Sequence, residues 1–404
     1  MMKMNHPDND SSQFEFAGES VSDTVLSGVV LVLLVAIILQ YTLLPTSVVY
    51  ALITLVYLLI VPLLVLYNDT IEVNSTYTKL YLVFAALVYL RLLFEPSLGN
   101  LARLGVLFTF TTANIFVIPS LLPLRQFLSV TARVSAPLVV VGLFPYLGLP
   151  VQFGFVDLSL WGARIYWYES LNPITSVFSN PNQLGGLALV GGLAALHECF
   201  ENRTRTAGAL LLVNSAGLLL TNWRTGWIIY TLSVGLYLVY FLKGRQYLTV
   251  AIGGSLICIT AAILMAFDVL PGPSVLSDLS FGNRRPRWVA NVRAFLDQPL
   301  WGYGFTGITD FEGGAGNPHN SYLRIFTGFG IIGGILYLLI VVGTAIGSAR
   351  RAVSYRDATL AILLTGFCIL QIFNQLSFIG ISMRSTFIAI MIGYYITGAG
   401  QYKE

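Results

Sequence analysis

Three sets of residues in this chain have the types and the spacing to do chemistry. Arg284, Arg285 and Arg287 crowd against Trp288, Arg224 follows Trp223, and His319 is followed at once by Asn320. Arginine is permanently charged and offers a planar fork of donors that fits a carboxylate or a phosphate, so the first two sets describe a place to hold an anion. A neutral imidazole accepts a proton from a hydroxyl, which is the work of a general base. Of the three histidines, His6 lies in a polar N-terminal tail and His197 at the end of an apolar run, which leaves His319 as the candidate base. Each feature also has a plainer reading. A lone histidine is commonly a hydrogen-bonded polar residue, and an arginine near a membrane commonly snorkels to the headgroups.

Two local elements must position these residues. Pro286 suits the first turn of a helix, and Trp288, Val289, Val292, Phe295 and Leu296 then recur at helical spacing, with Arg287, Asn291 and Asp297 on the other side. The pattern predicts an amphipathic helix lying at a membrane surface. Its positive N-terminal end stands beside Arg284 and Arg285, so that backbone and side chains converge on one anionic group. Farther on, Asn317 is placed to cap a helix, with Pro318 at its first position and His319 in its first turn. Helix potential there disfavours imidazolium, which suits a base.

These elements belong to a chain that needs lipid as its solvent. Of 404 residues, 56% are hydrophobic and 10% charged, where a soluble domain carries about a quarter charged residues. Apolar stretches long enough to cross about 30 Å of hydrocarbon fall at 24–44, 48–67, 79–95, 101–122, 127–149, 181–198, 206–222, 226–242, 247–267, 319–347, 358–378 and 384–401. They lack the two-residue alternation of barrel strands and are therefore helices. The expected fold is all-α, a polytopic membrane protein with about 12 transmembrane helices. Residues 1–23 read as a disordered cytoplasmic tail and 24–404 as a single transmembrane domain.

With the N-terminus in the cytoplasm, Lys3, Lys79, Lys243 and Lys403 and the clusters Arg203/Arg205 and Arg350/Arg351/Arg356 all fall inside, as the positive-inside pattern requires. The C-terminus is then cytoplasmic too. Loops 150–180 and 268–318 become extracytoplasmic, the second lying between the ninth and tenth helices and holding the amphipathic helix. Every basic residue on that outer side is an arginine. Arg91 has Glu95 as an i,i+4 partner. The glycines at 185, 186, 191 and 192 and at 328, 330, 333 and 334 are assigned to close helix packing. Cys199, Cys258 and Cys368 lack metal or disulfide spacing and read as core residues. A net charge of +3 with no broad basic face excludes a nucleic-acid partner. No P-loop or sugar-nucleotide site is visible.

The stretches Arg284-Arg-Pro-Arg-Trp288, Pro299-Leu-Trp-Gly-Tyr-Gly304, His319-Asn-Ser-Tyr-Leu323 and Gly328-Phe-Gly-Ile-Ile-Gly333 together resemble the signature of the O-antigen ligase and O-antigen polymerase family. Ser179-Asn-Pro-Asn182-Gln at a helix start and Thr221-Asn-Trp-Arg224-Thr-Gly226 are similar to further family stretches, although Asn222 and Trp223 stand where small or hydroxyl residues are usual. The resemblance covers roughly 175–335. It implies a metal-independent glycosyl transfer, without cofactor, from a polyprenyl-pyrophosphate-linked glycan to a hydroxyl of a glycan or lipid acceptor, with inversion at the anomeric carbon. The site would be extracytoplasmic, in a plasma or inner membrane. Arg224 and Arg284 would stabilise the leaving pyrophosphate and His319 would deprotonate the acceptor. Arg285, Arg287, Trp288, Asn320, Asn182 and Tyr322 would contact substrate, and Tyr166, Trp167 and Tyr168 offer sugar-stacking surfaces or an interfacial belt.

The alternative from another class is a transporter or flippase of an anionic lipid or solute, which places its ionisable site near the membrane midplane. The assigned topology is checked by single cysteines at Gly313 and Ser354 in a cysteine-free background. An impermeant thiol reagent added to intact cells should label the first and spare the second, and the reverse pattern would turn the whole assignment inside out.

Overall fold

The structure is a computed structural model describing residues 14–16, 19–21, 23–42, 44–66, 73–94, 97–149, 152–153, 156–162, 164–165, 171–267, 269–273, 284–304 and 317–398. Helices dominate it. They are α1 (Asp23–Ile38), α2 (Thr46–Leu66), α3 (Ser75–Leu92), α4 (Leu98–Leu121), α5 (Leu124–Val141), α6 (Pro181–Glu201) and α7 (Arg205–Leu220). These are followed by α8 (Arg224–Lys243), α9 (Arg245–Ala266), α10 (Arg284–Asp297), α11 (Ser321–Arg351), α12 (Tyr355–Phe373) and α13 (Met383–Thr397). Each apolar run of the sequence overlaps one of them. Among the described residues, seven helices are long and apolar enough to cross a membrane and three shorter apolar helices accompany them.

The only strands among the described residues are two short antiparallel pairs. Phe14–Phe16 pairs with Glu19–Val21 inside the stretch expected to be a disordered tail, and residues 1–13 lie outside the described residues. In the loop before α6, Gln152–Phe153 pairs with Val156–Asp157, and Leu160 bridges to Ile174. Tyr166, Trp167 and Tyr168 lie outside the described residues.

Burial is arranged for lipid. α12 is buried from Asp357 to Gln371, and α13 is buried along its length except at Arg384. On the periphery, Leu212 is 72% and Val250 74% exposed, an arrangement that makes sense only where the surroundings are apolar. Close packing of α5, α6 and α7 uses the expected glycines, since a Cβ at Gly191 would stand 2.7 Å from the Ser135 Cβ. The cysteines divide. Cys368 is buried and Cys199 half-buried, whereas Cys258 is exposed on α9 and so is no core residue.

The glycines of α11 do something that packing alone does not describe. At Gly330 the backbone turns to φ 65° and ψ −167°, a non-helical conformation in the middle of a 31-residue helix, which an L side chain adopts only under strain. The turn that a regular helix would close from the Ile331 amide to the Thr327 carbonyl is opened. The Tyr303 amide donates to the Thr327 carbonyl at 2.9 Å, and the Ile331 amide donates to the Pro299 carbonyl at 2.7 Å. Segment 299–303 is therefore inserted into the helix as a hydrogen-bonded plug. A Cβ at Gly330 would lie 2.0 Å from the Leu300 carbonyl oxygen, and one at Gly302, itself at φ 64°, would lie 2.5 Å from the Gly328 backbone. Arg91 donates to the Gly302 carbonyl at 3.2 Å and so fastens the plug to α3. Its expected partner Glu95 lies outside the described residues.

Gly330→Ala should destabilise the protein by at least about 2 kcal/mol through strain and overpacking. Gly254→Ala on α9, whose Cβ meets nothing within 4 Å, should leave stability unchanged or raise it slightly. Thermal unfolding in detergent reads both, and equal melting temperatures for the two variants would contradict the plug.

Candidate active site

The plug fixes the place of α10, which packs along the broken part of α11. Its contact face is Trp288, Asn291 and Ala294, and the Asn291 carbonyl accepts from the Thr327 hydroxyl at 3.1 Å. This corrects the expected faces. Asn291 is buried because its amide nitrogen caps the Arg287 carbonyl at 2.8 Å while its own carbonyl meets α11. Val289, Val292 and Leu296 are instead 37%, 42% and 65% exposed. The apolar stripe is therefore divided: Trp288 and Phe295 pack on Phe267 and Phe326, while Val289, Val292 and Leu296 are turned away from the bundle.

Trp288 is the anchor between α10 and the histidine. Its indole ring stacks on Phe267 at the end of α9, 5.3 Å between centroids and 6° between planes. Its N–H donates to the Pro318 carbonyl at 2.7 Å. Arg287 donates to the Asn317 carbonyl at 3.4 Å. Both bonds hold the chain just before His319. Arg285 lies over the Phe267 ring at 5.7 Å, on the flank of this arrangement.

His319 does not occupy the first turn of a helix. The cap of α11 is Asn320, whose side chain accepts from the Leu323 amide at 3.0 Å. His319 precedes it in the left-handed region, at φ 49°. Asn317 does not cap the helix but accepts from the His319 amide at 2.8 Å, closing a tight turn. Ser/Asn-type caps compete wherever two lie close together, and Asn320 wins because Ser321 continues directly into the buried helix. Non-glycine residues with positive φ are uncommon and cluster at functional sites.

The imidazole is kept neutral by causes other than the helix. Burial comes first, followed by the charges of Arg284 and then Arg287, and all three hold the His319 pKa below its ordinary value. Burial also lowers the Arg284 guanidinium from its ordinary value. The structure thus brings Arg284, Arg287, Trp288 and His319 together. Tyr322 points elsewhere: its hydroxyl donates to the Cys368 carbonyl inside the bundle at 3.0 Å.

Arg224 and Asn182 stand at the starts of two other helices, which meet where Trp223 packs on Gly185. Arg224 is the first residue of α8, after Asn222 at φ 54° and a buried Trp223. Asn182 lies in the first turn of α6, where Asn180 caps its amide at 2.8 Å. Between this corner and α13 lies a residue that sequence reasoning missed. The Arg384 guanidinium sits 5.9 Å from the Trp223 ring, its stem across Gly186, with Nε and Nη1 buried and without a hydrogen-bond partner among the described residues. Arg324, one turn into α11, was missed in the same way. Both were absorbed into apolar runs, although an ionisable residue inside such a run is costly and therefore informative. Among the described residues no group of three or more His, Cys, Asp or Glu side chains is placed to hold a metal.

Residues 208–338 match the family model described as O-antigen ligase. The matched third of the chain contains Arg224, the arginines of α10, Trp288 and His319, and in that region the protein is O-antigen ligase-like. No curated protein sequence matches the chain.

The electrostatics set a sign. A base depressed by positive neighbours is neutral down to lower pH, so Arg287→Gln should raise the His319 pKa towards its ordinary 6.5. Histidine-selective NMR, with the signal assigned by its loss in His319→Gln, should show a midpoint below that value in the native protein and a higher one in the variant. A native midpoint at or above 6.5 would contradict the site.

Proposed function

We propose, from the O-antigen ligase match over 208–338, that the protein is an integral membrane glycosyltransferase that moves a polyprenyl-pyrophosphate-linked glycan to an acceptor hydroxyl. The observation that carries the reading is the pairing of a pKa-depressed histidine with Arg284 and Arg287, held by the Trp288 bond to Pro318 in the matched region. A base that is neutral beside a cationic cradle is what such a transfer needs.

In this reading the His319 imidazole takes the acceptor hydroxyl proton and the oxygen attacks the anomeric carbon. The bond from that carbon to the diphosphate breaks, and its electron pair leaves on the diphosphate oxygen. Arg284 and Arg287 meet that growing charge, with Arg224 approaching from the α8 corner. One direct displacement inverts the anomeric centre, and the residues that act require no metal. Twelve membrane crossings, cytoplasmic termini and an extracytoplasmic site complete the proposal, in a plasma or inner membrane. The acceptor is either a growing glycan, as in a polymerase, or a lipid, as in a ligase. No observation favours the transporter or flippase reading.

The test is transfer by purified protein supplied with a lipid-pyrophosphate oligosaccharide and several acceptors, with products identified by mass spectrometry. His319→Ala should bind donor nearly normally and turn over about 10²- to 10⁴-fold more slowly. Arg284→Lys should lose about 10- to 100-fold, the share of a charge-assisted contact of about 1.5–3 kcal/mol. Normal turnover in His319→Ala would end the general-base assignment, and absence of any transfer by the native protein would end the transferase reading.

A further inference from the structure

Arg324 lies one turn inside α11 and lines two cavities at once. The smaller, about 120 Å³, is walled by Val88 of α3, by Leu104, Leu107 and Phe108 of α4, and by Ile325 and Phe329 of α11. The larger, about 380 Å³, is bordered by Gln40, Tyr41, Thr46, Tyr50, Ser382 and Ser385. Arg324, Gln375, Ser377 and Ile379 border both. The two spaces thus meet at one cation, the smaller mainly apolar away from Ser321 and the shared polar edge, the larger rich in hydroxyls and amides.

Among the described residues that cation has no anion: no carboxylate lies within ion-pair distance of Arg324, and the ion pairs present belong to Arg125, Arg133 and His197. With its amide turned so that oxygen faces the guanidinium, Gln375 accepts from Arg324 and donates to Asn317. The other charge acting on Arg324 is a like one, Arg103 of α4. A guanidinium has five donors, and a neutral amide oxygen can take only some of them. A half-buried guanidinium with donors to spare, opening on two cavities, is placed to take a ligand anion.

We propose that Arg324 seats the diphosphate of a prenyl-diphosphate-linked glycan, with the first prenyl units in the apolar cavity and the first sugar in the polar one. The inference rests on the transferase reading above and assigns the donor's position to this chain's own residues. Such a lipid presents hydrocarbon, then anionic charge, then hydroxyls, and the two cavities present matching surfaces in the same order. The seat is connected to the base. Gln375 joins Arg324 to Asn317, and Asn317 accepts from the His319 amide at 2.8 Å. Anion binding therefore bears on the turn that aims the histidine.

The test uses the full chain in nanodiscs of neutral phosphatidylcholine and three probes: farnesyl diphosphate, farnesol and inorganic pyrophosphate. By calorimetry, farnesyl diphosphate should bind at least about 10-fold more tightly than either other probe. Arg324→Met should weaken it about 10- to 100-fold, and Arg324→Lys, which keeps the charge and loses the fork, should fall between. Leu104→Trp, which fills the apolar cavity, should weaken farnesyl diphosphate and leave pyrophosphate unchanged. Arg293→Met, an exposed arginine outside the cavities, should change nothing. Native affinity in Arg324→Met, or equal affinity for pyrophosphate and farnesyl diphosphate, overturns the proposal. Should Arg324→Met not fold, Arg324→Lys and Leu104→Trp decide the matter, and native affinity in both overturns it. If the native protein transfers glycan while Arg324→Met binds normally, only this assignment falls; if the native protein neither binds nor transfers, the transferase reading falls with it.

Discussion

One exchanged pair of hydrogen bonds organises the end of the bundle where the candidate chemistry lies. A membrane helix that opens a turn must satisfy the freed amide and carbonyl at once, because hydrocarbon offers no substitute. Here the Ile331 amide and the Thr327 carbonyl are taken up by Pro299 and Tyr303. The same insertion brings α10 against α11, gives Trp288 its reach to Pro318, and leaves His319 on a turn whose backbone is bonded on both sides. Without glycine at 330 the helix could not open, and without glycine at 302 the plug could not approach.

Charge is distributed just as deliberately around this frame. Towards the opposite end of the helices, basic residues are paired: Arg133 with Glu198 at 2.6 Å and Arg125 with Glu201 at 3.9 Å, while His197 also faces Glu201. Elsewhere Arg287 donates to the Asn317 carbonyl, Arg324 faces the Gln375 amide and Arg384 lies against the Trp223 ring. Among the described residues the ion pairs lie at that opposite end, and none is made by Arg287, Arg324 or Arg384.

Much of this was legible in the sequence, for identifiable reasons. Long apolar runs announce membrane helices because length and composition alone decide them. Pro286 and the spacing around Trp288 announced α10. The residues Arg284, Trp288 and His319 stood out by type. The start of α11 was less legible, since Asn317 and Asn320 are equally good caps and only tertiary packing selects between them. The burial of Asn291 is not legible because periodicity ranks residues by polarity, whereas its backbone carbonyl accepts from Thr327 of α11. The role of Gly330 was hidden because a glycine in a membrane helix usually signals close packing. Arg324 and Arg384 were passed over inside apolar runs, although nothing in such a run explains an arginine.

The break at Gly330 also has a consequence for depth. An unbroken helix of 31 residues would be roughly 46 Å long, well beyond the roughly 30 Å of hydrocarbon it has to cross. The stretch 331–351 alone is roughly 32 Å long and suffices for the crossing. The segment Ser321–Phe329 is thereby relieved of spanning and is free to lie at the level of the lipid headgroups. Arg324 rides on that segment, so the diphosphate proposed for it would be met at the height of the headgroup phosphates rather than drawn into hydrocarbon.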